Sequence, residues 1–289
     1  VSNINGAYYT NNAVPYEIDS NSIHTINYYD TYVDLPSGIS VPLSVYGQAV
    51  TNDTQGLSTV RKVRVLDTND WITTVSYYDE KGRPIYVYTK DEYLNTVDIV
   101  ESKLDFTGKT IETKSTHKKT GHSDIVVIDK FTYDHMNRLV SQKQTINSSP
   151  EELIAKNYYD ELGELIKKDV GNNELQPLQE VDYTYNIRNW LKEINDINNL
   201  GTDLFTFKIN YNDPVYVINN PNTPLYNGNI SQVEWRTNNE DPTLKSYTYN
   251  YDDLDRITKA KDNKDKFTLD NLTYDKNGNI LTLRRKGPI

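Results

Sequence analysis

Apolar and polar residues alternate along most of this chain. Val181, Tyr183 and Tyr185 share one side of an extended segment while Asp182 and Thr184 share the other, and Tyr247, Tyr249 and Tyr251 stand in the same way against Thr248 and Asn250. A period of two marks a strand with one packed face and one wet face. Similar runs occur at residues 60–66 (VRKVRVL), 73–78 (TTVSYY) and 204–211 (LFTFKINY), so the pattern predicts strands almost throughout. Residues 151–156 (EELIAK) suit a single helical turn, a length marginal for a helix.

The strands come in a repeat. Tyr78-Asp79, Leu104-Asp105, Tyr133-Asp134, Tyr159-Asp160, Tyr185-Asn186, Tyr251-Asp252 and Tyr274-Asp275 are copies of one dipeptide, with Tyr211-Asn212 a weaker copy. From 79 to 212 the steps are 26, 29, 26, 26 and 26 residues, a period that signals stacked supersecondary units. Three residues after each aspartate position stand Gly82, Gly108, Asn137, Gly163, Asn189, Asp255 and Gly278. Gly, Asn and Asp are the residues that tolerate a positive φ. Asp or Asn opening a type I turn that a left-handed residue closes is a short hairpin connection, and the opening side chain caps the turn backbone. Each copy is therefore expected to be a hairpin tip.

Residues 1–58 lack the repeat, and Pro15, Pro36 and Pro42 interrupt regular structure there. We read them as a loop-rich lead-in with short strands, and residues 59–289 as one continuous array. Within the array, Pro214, Pro221 and Pro224 hold an exposed loop before Tyr226-Asn227-Gly228-Asn229 restarts a hairpin. The start at Val1 and the end just past a hairpin suggest an excerpt from a longer chain.

Composition changes the picture in one respect. The hydrophobic fraction is 36% and the mean hydropathy −0.73, low for an enzyme domain, but 24 Tyr against 5 Phe supply ring area with a polar tip. That suits thin sheets. A net charge of −10 argues against a nucleic-acid surface, and the short basic runs at 114–119 and 284–286 read as solvated faces. There is no cysteine, hence no disulfide frame or thiolate chemistry. No run of about 18 apolar residues spans a bilayer, and residues 1–10 lack the regions of a signal peptide.

Candidate chemistry is sparse. The tip aspartates lack calcium-loop spacing, and Asp262, Asn263 and Asp265 lack the Gly and distal Glu that such a loop needs. His117 and His122 are spaced like some zinc pairs, yet only His24 and His135 are further imidazoles. We expect no metal, no cofactor and no catalytic residue. Trp71, Trp190 and Trp235 are the candidates for sugar contact on a polar β-surface.

The stretches YYDEKGRPI (77–85), TYDHMNRLV (132–140), YYDELGELI (158–166), YDDLDRITKA (251–260) and TYDKNGNI (273–280) resemble the tyrosine-aspartate (YD) repeats of Rhs proteins. KVRVLDTNDWITTVSYYDEKGRPI, LQEVDYTYNIRNWLKEIND and LYNGNIS are similar in particular to Rhs proteins of Bacteroidetes such as flavobacteria. The resemblance covers residues 58–289. It implies an all-β fold: an antiparallel β-hairpin array whose curved sheet forms part of a spiral shell. In the bacterial proteins of this kind the shell encloses a C-terminal toxin, and in teneurins a similar shell belongs to an adhesion receptor, so fold does not settle function. Neither a self-cleavage segment nor a toxin domain is present here. The resemblance therefore implies a non-enzymatic shell segment, secreted or at the cell surface. Its partners would be the remainder of its own chain with the toxin cargo, the type IX secretion machinery for export, and glycans if it were instead an adhesin; nucleic acid and a membrane span are not expected.

Overall fold

In the computed structural model, residues 2–4, 7–9, 23–32, 35, 39, 42–215 and 224–287 are described. Pro15, Pro36 and Pro221 lie outside them. The chain divides into two compact units, Val1–Ile154 and Ala155–Ile289.

Every regular element among the described residues is a strand. The first unit contains β1 (Ser2–Ile4), β2 (Ala7–Tyr9), β3 (Thr25–Asp30), β4 (Ser44–Val45), β5 (Gln48–Ala49), β6 (Thr54–Arg64), β7 (Trp71–Tyr78), β8 (Pro84–Asp91), β9 (Thr96–Leu104), β10 (Thr110–Lys119), β11 (Ile125–Tyr133) and β12 (Leu139–Ile146). β13 (Glu152–Tyr159) carries the chain into the second unit, followed by β14 (Leu165–Val170), β15 (Gln179–Tyr185), β16 (Leu191–Ile194), β17 (Phe205–Asn210), β18 (Gln232–Thr237), β19 (Lys245–Tyr251), β20 (Ile257–Asp262), β21 (Thr268–Tyr274) and β22 (Ile280–Arg285). The fold is an all-β array of antiparallel hairpins. In the first unit β3 pairs with β6, and β6 to β12 then pair each with the next. In the second, β13 to β22 do the same.

Residues 151–156 correct one expectation: they enter β13, with Leu153 buried at 2% exposure, and are not helical. Sheet pairing outweighs the weak helix preference of so short a segment.

The first unit has an aromatic core on one sheet face. Tyr28, Val60, Val75 and Tyr88 stand in register across β3, β6, β7 and β8, with Tyr77 opposite Tyr86 two pairs on, on the same face. Val75 and Tyr77 are wholly buried, and Tyr32, Leu35, Ile39 and Val50 pack over them. Rings at 4.7 Å (Tyr32 to Tyr77) and 5.6 Å (Tyr77 to Tyr86) do the filling that aliphatic residues do elsewhere. Burial pushes the Tyr32 and Tyr77 phenols up to about 12.

The second unit buries polar residues as well. Thr206 and Asn210 of β17, Gln232 and Glu234 of β18, and Ser246 and Thr248 of β19 lie on one face, all nearly or fully buried. Asn210 Nδ2 donates to Gln232 Oε1 at 3.0 Å and to Glu234 Oε2 at 2.9 Å, which compensates much of the desolvation. The opposite face of these strands carries Phe205, Phe207, Val233, Trp235, Tyr247 and Tyr249.

Candidate functional site

The repeat residues build three linked devices, and the first is the tip. At Asp79, Asp105, Asp134, Asp160, Asn186, Asp252 and Asp275, side-chain Oδ1 accepts hydrogen bonds at 2.8–3.1 Å from the backbone N–H groups two and four residues on. The residue three positions on then turns left-handed: φ is +72° at Gly82, +98° at Gly108, +66° at Asn137, +91° at Gly163, +60° at Asn189, +61° at Asp255 and +88° at Gly278. Its N–H donates to the carbonyl of the opening residue at 2.9–3.2 Å. At each tip the strand register shifts by a bulge, as between Tyr77 and Tyr78 or Asn250 and Tyr251.

The second device is a clamp on the same aspartate. Arg83, Arg138 and Arg256, each four residues on, donate Nε to Oδ2 of Asp79, Asp134 and Asp252 at 2.7, 2.6 and 2.8 Å. Asn279 donates Nδ2 to Asp275 Oδ2 at 2.8 Å, and Lys109 Nζ stands 3.5 Å from Asp105 Oδ2. Desolvation raises the Asp79 carboxyl, but the Arg83 side chain and the turn N–H groups outweigh it and hold it below its ordinary value. At Asp105 the Thr107 hydroxyl leads in lowering the carboxyl to about 2. The tip at Asp160 breaks the pattern: Glu164 takes the clamp position, and its Oε1 is shielded from solvent without a hydrogen-bond partner.

The third device uses the repeat tyrosine, and sequence reasoning missed it. The phenols of Tyr78, Tyr133, Tyr185, Tyr211, Tyr251 and Tyr274 donate to the carbonyls of Ser58, Thr110, Leu165, Leu191, Ile230 and Ile257 at 2.6, 2.9, 3.0, 3.1, 2.9 and 2.7 Å. Each acceptor lies two residues after a left-handed glycine, asparagine or aspartate: Gly56 at an irregularity within β6, and Gly108, Gly163, Asn189, Gly228 and Asp255 in earlier turns. One hairpin is thus locked to its predecessor at the bulge, where ladder bonds are interrupted. The signal in the sequence was the pairing of Tyr with Asp, since a phenylalanine would fill the same space without the bond.

Neighbouring tips also touch directly. Lys81 Nζ reaches the carbonyl of Phe106 and Lys109 Nζ donates to Asn137 Oδ1 in the first unit. In the second, Arg188 donates to the carbonyl of Tyr226, Asn227 and Asn229 donate to Asp255, and Arg256 donates to the carbonyl of Asp275.

The remaining candidates each have local partners. His117 Nδ1 lies 2.6 Å from Asp98 Oδ1, a cross-strand pair, while the backbone of His122 closes the β10–β11 turn. Asp262 accepts from the N–H of Phe267 at 2.8 Å, and Asp265 from the Thr268 hydroxyl, so both carboxylates serve their own loop. Among the described residues no three His, Asp or Glu side chains gather as a metal site. Trp71 lies under the Arg64 guanidinium at 6.0 Å. Trp190 is held between Arg188 at 5.2 Å and Tyr211 at 5.1 Å. Trp235 runs near-parallel to Tyr247 (6.0 Å, 8°), which in turn is near-parallel to Tyr249 (6.3 Å, 22°). Of the three tryptophans, Trp235 belongs to the most extended aromatic surface.

No family model matches the sequence, and no curated relative matches it. Among solved structures, the chain is similar to TcdB2-TccC3 without its hypervariable C-terminal region (14% identity, TM-score 0.42) and to TcdB2-TccC3-Cdc42 (13%, 0.42), covering 83% of this chain in both cases. It is also similar to TcdB2-TccC3 itself, at 14% identity and a TM-score of 0.33 over 79% of this chain. The chain spans about 15% of the length of the first two. The assignment as a hairpin array rests on the strand register above.

Proposed function

We propose that this chain is a structural segment of the β-shell of a secreted or surface Rhs-type protein, whose work is to enclose a C-terminal toxin and deliver it in competition between bacteria. The observation that carries this reading is the tyrosine lock. A residue whose only polar atom is spent on tying one hairpin to the previous one is suited to building a wall of indefinite length, and the repeat supplies it at nearly every hairpin. The tip carboxylates are likewise spent on turn N–H groups and, at Asp79, Asp134 and Asp252, on arginines, which leaves few groups free for general acid or base work. The reading is therefore non-enzymatic, with the resemblance of the YD repeats to Rhs proteins supplying the cargo.

The mechanism is sequestration. A cargo domain held inside a closed wall meets no target until the wall opens. In such a protein the remaining turns of the same chain complete the wall, and export follows the type IX route. The complete gene tests this: a variable C-terminal domain after a cleavage segment supports it, while C-terminal anchoring or lectin-like modules overturn it in favour of an adhesin. Cell fractionation that finds the protein in the cytoplasm also overturns it, as does turnover of a nucleotide, peptide or glycan that disappears on mutating a residue within 59–289.

A further inference from the structure

Two clefts on the aromatic face of the second unit share a wall. The first, of about 190 Å³, is lined by Trp235, Tyr247 and Phe267 with Lys245, Lys264 and Lys266; the second, of about 310 Å³, continues from Tyr247 and Phe267 past Tyr249 to Arg285. Together they form a groove running from β18 to β22. Its floor is the near-parallel series Trp235, Tyr247 and Tyr249.

The charges in the groove are sorted. Asp241 is taken by Lys264 at 3.1 Å and by Thr243, and Lys245 donates to the Asp241 carbonyl at 2.6 Å. Asp262 accepts from the backbone N–H groups of Lys264 and Phe267. Both carboxylates are thus satisfied within the β18–β19 and β20–β21 loops. Lys266 and Arg285 pair with no carboxylate among the described residues, and both are exposed, one lining each cleft. The lining sets four cations, Lys245, Lys264, Lys266 and Arg285, against the two carboxylates Asp241 and Asp262, so in a chain of net charge −10 this groove is locally positive and favours an anion.

From these observations we infer that this groove binds an acidic oligosaccharide, a chain of pyranose rings bearing uronic carboxylates. The apolar C–H faces of the sugar rings lie on Trp235, Tyr247 and Tyr249. The carboxylates meet Lys266 and Arg285 in charge-assisted hydrogen bonds. Two joined clefts fit successive rings better than one isolated ring.

The test is calorimetric titration of the 289-residue protein with trigalacturonate, beside neutral galactotriose and a glutamate tripeptide, with tryptophan emission as a second readout. Binding of trigalacturonate, at least tenfold tighter than either comparison, is expected. Lys266→Ala combined with Arg285→Gln, both at exposed positions, should weaken it at least tenfold, and Trp235→Leu should abolish it. Arg188→Gln, beside Trp190, should leave it unchanged. No binding of trigalacturonate, equal binding of galactotriose or of the tripeptide, or binding indifferent to the Lys266 and Arg285 changes would each overturn the assignment. None of these results bears on the shell reading.

Discussion

Replacing Asp79 by Asn changes one atom type at the best-buried tip and separates the turn from the clamp. Asp79 is 5% exposed. Its Oδ1 accepts from the N–H groups of Lys81 and Arg83 at 2.9 Å, and its Oδ2 from Arg83 Nε at 2.7 Å. An asparagine amide keeps the first pair, as the chain itself demonstrates: Asn186 accepts from Arg188 and Trp190 N–H groups at 2.9 and 3.1 Å with no cation at the clamp position. What Asp79→Asn loses is the charged partner of Arg83, and it sets an N–H donor against a guanidinium donor. A charge-assisted bond contributes about 1.5–3 kcal/mol, and Arg83 is partly solvated, so we expect a local loss of about 2 kcal/mol.

Native-state hydrogen exchange reads this without assuming that the array unfolds as one unit. The Gly82 amide, which donates to the Asp79 carbonyl, should exchange roughly 30-fold faster, since about 1.4 kcal/mol is a factor of ten. A cycle with Arg83→Gln should give a coupling of about 1–2 kcal/mol. The pH dependence has a fixed sign. The folded carboxyl lies below its ordinary value of 3.8, so its contribution is fully present above that value and is lost as pH falls through the folded value. The gap between wild type and Asp79→Asn should therefore close on acidification below about pH 4. Zero coupling with Arg83, or a gap that stays constant from pH 7 to pH 2, would refute the clamp.

Three further substitutions address the other devices. Tyr251→Phe removes only the phenol that reaches the Ile230 carbonyl, and it should cost about 1 kcal/mol in denaturant unfolding; an unchanged midpoint would mean that the lock carries no stability. Gly163→Val places a β-branched residue at φ +91° and should cost about 1–3 kcal/mol, whereas an unaltered midpoint would count against the turn geometry. Glu164→Arg installs at Asp160 the clamp that Asp79, Asp134 and Asp252 already have, and should raise stability by about 0.5–1 kcal/mol; a loss of stability would show that Glu164 serves a purpose of its own.

Local chemistry made the tips legible in the sequence. Asp134, its capped N–H groups, Asn137 and Arg138 all lie within five consecutive residues, so spacing alone identifies the turn and the residue that must be left-handed. The turns at the other ends of the hairpins were less visible, because Asn95, Asn147 and Asn172 hold φ of +52°, +53° and +61° without a repeated neighbour to mark them. Residues 151–156 misled for a related reason: a short segment carries little intrinsic preference, and its partners decide its state. Tertiary structure alone decided where the tyrosines go. Tyr185 and the Leu165 carbonyl are 20 residues apart, and only the bulge and the register of β14 on β15 bring them together. The same holds for the groove, in which Trp235 meets Tyr247 diagonally because Val233 faces Tyr247 across β18 and β19. Alternation in the sequence fixes which side of a strand a residue occupies; which residues become neighbours on that side is set by register, a property of strand pairs.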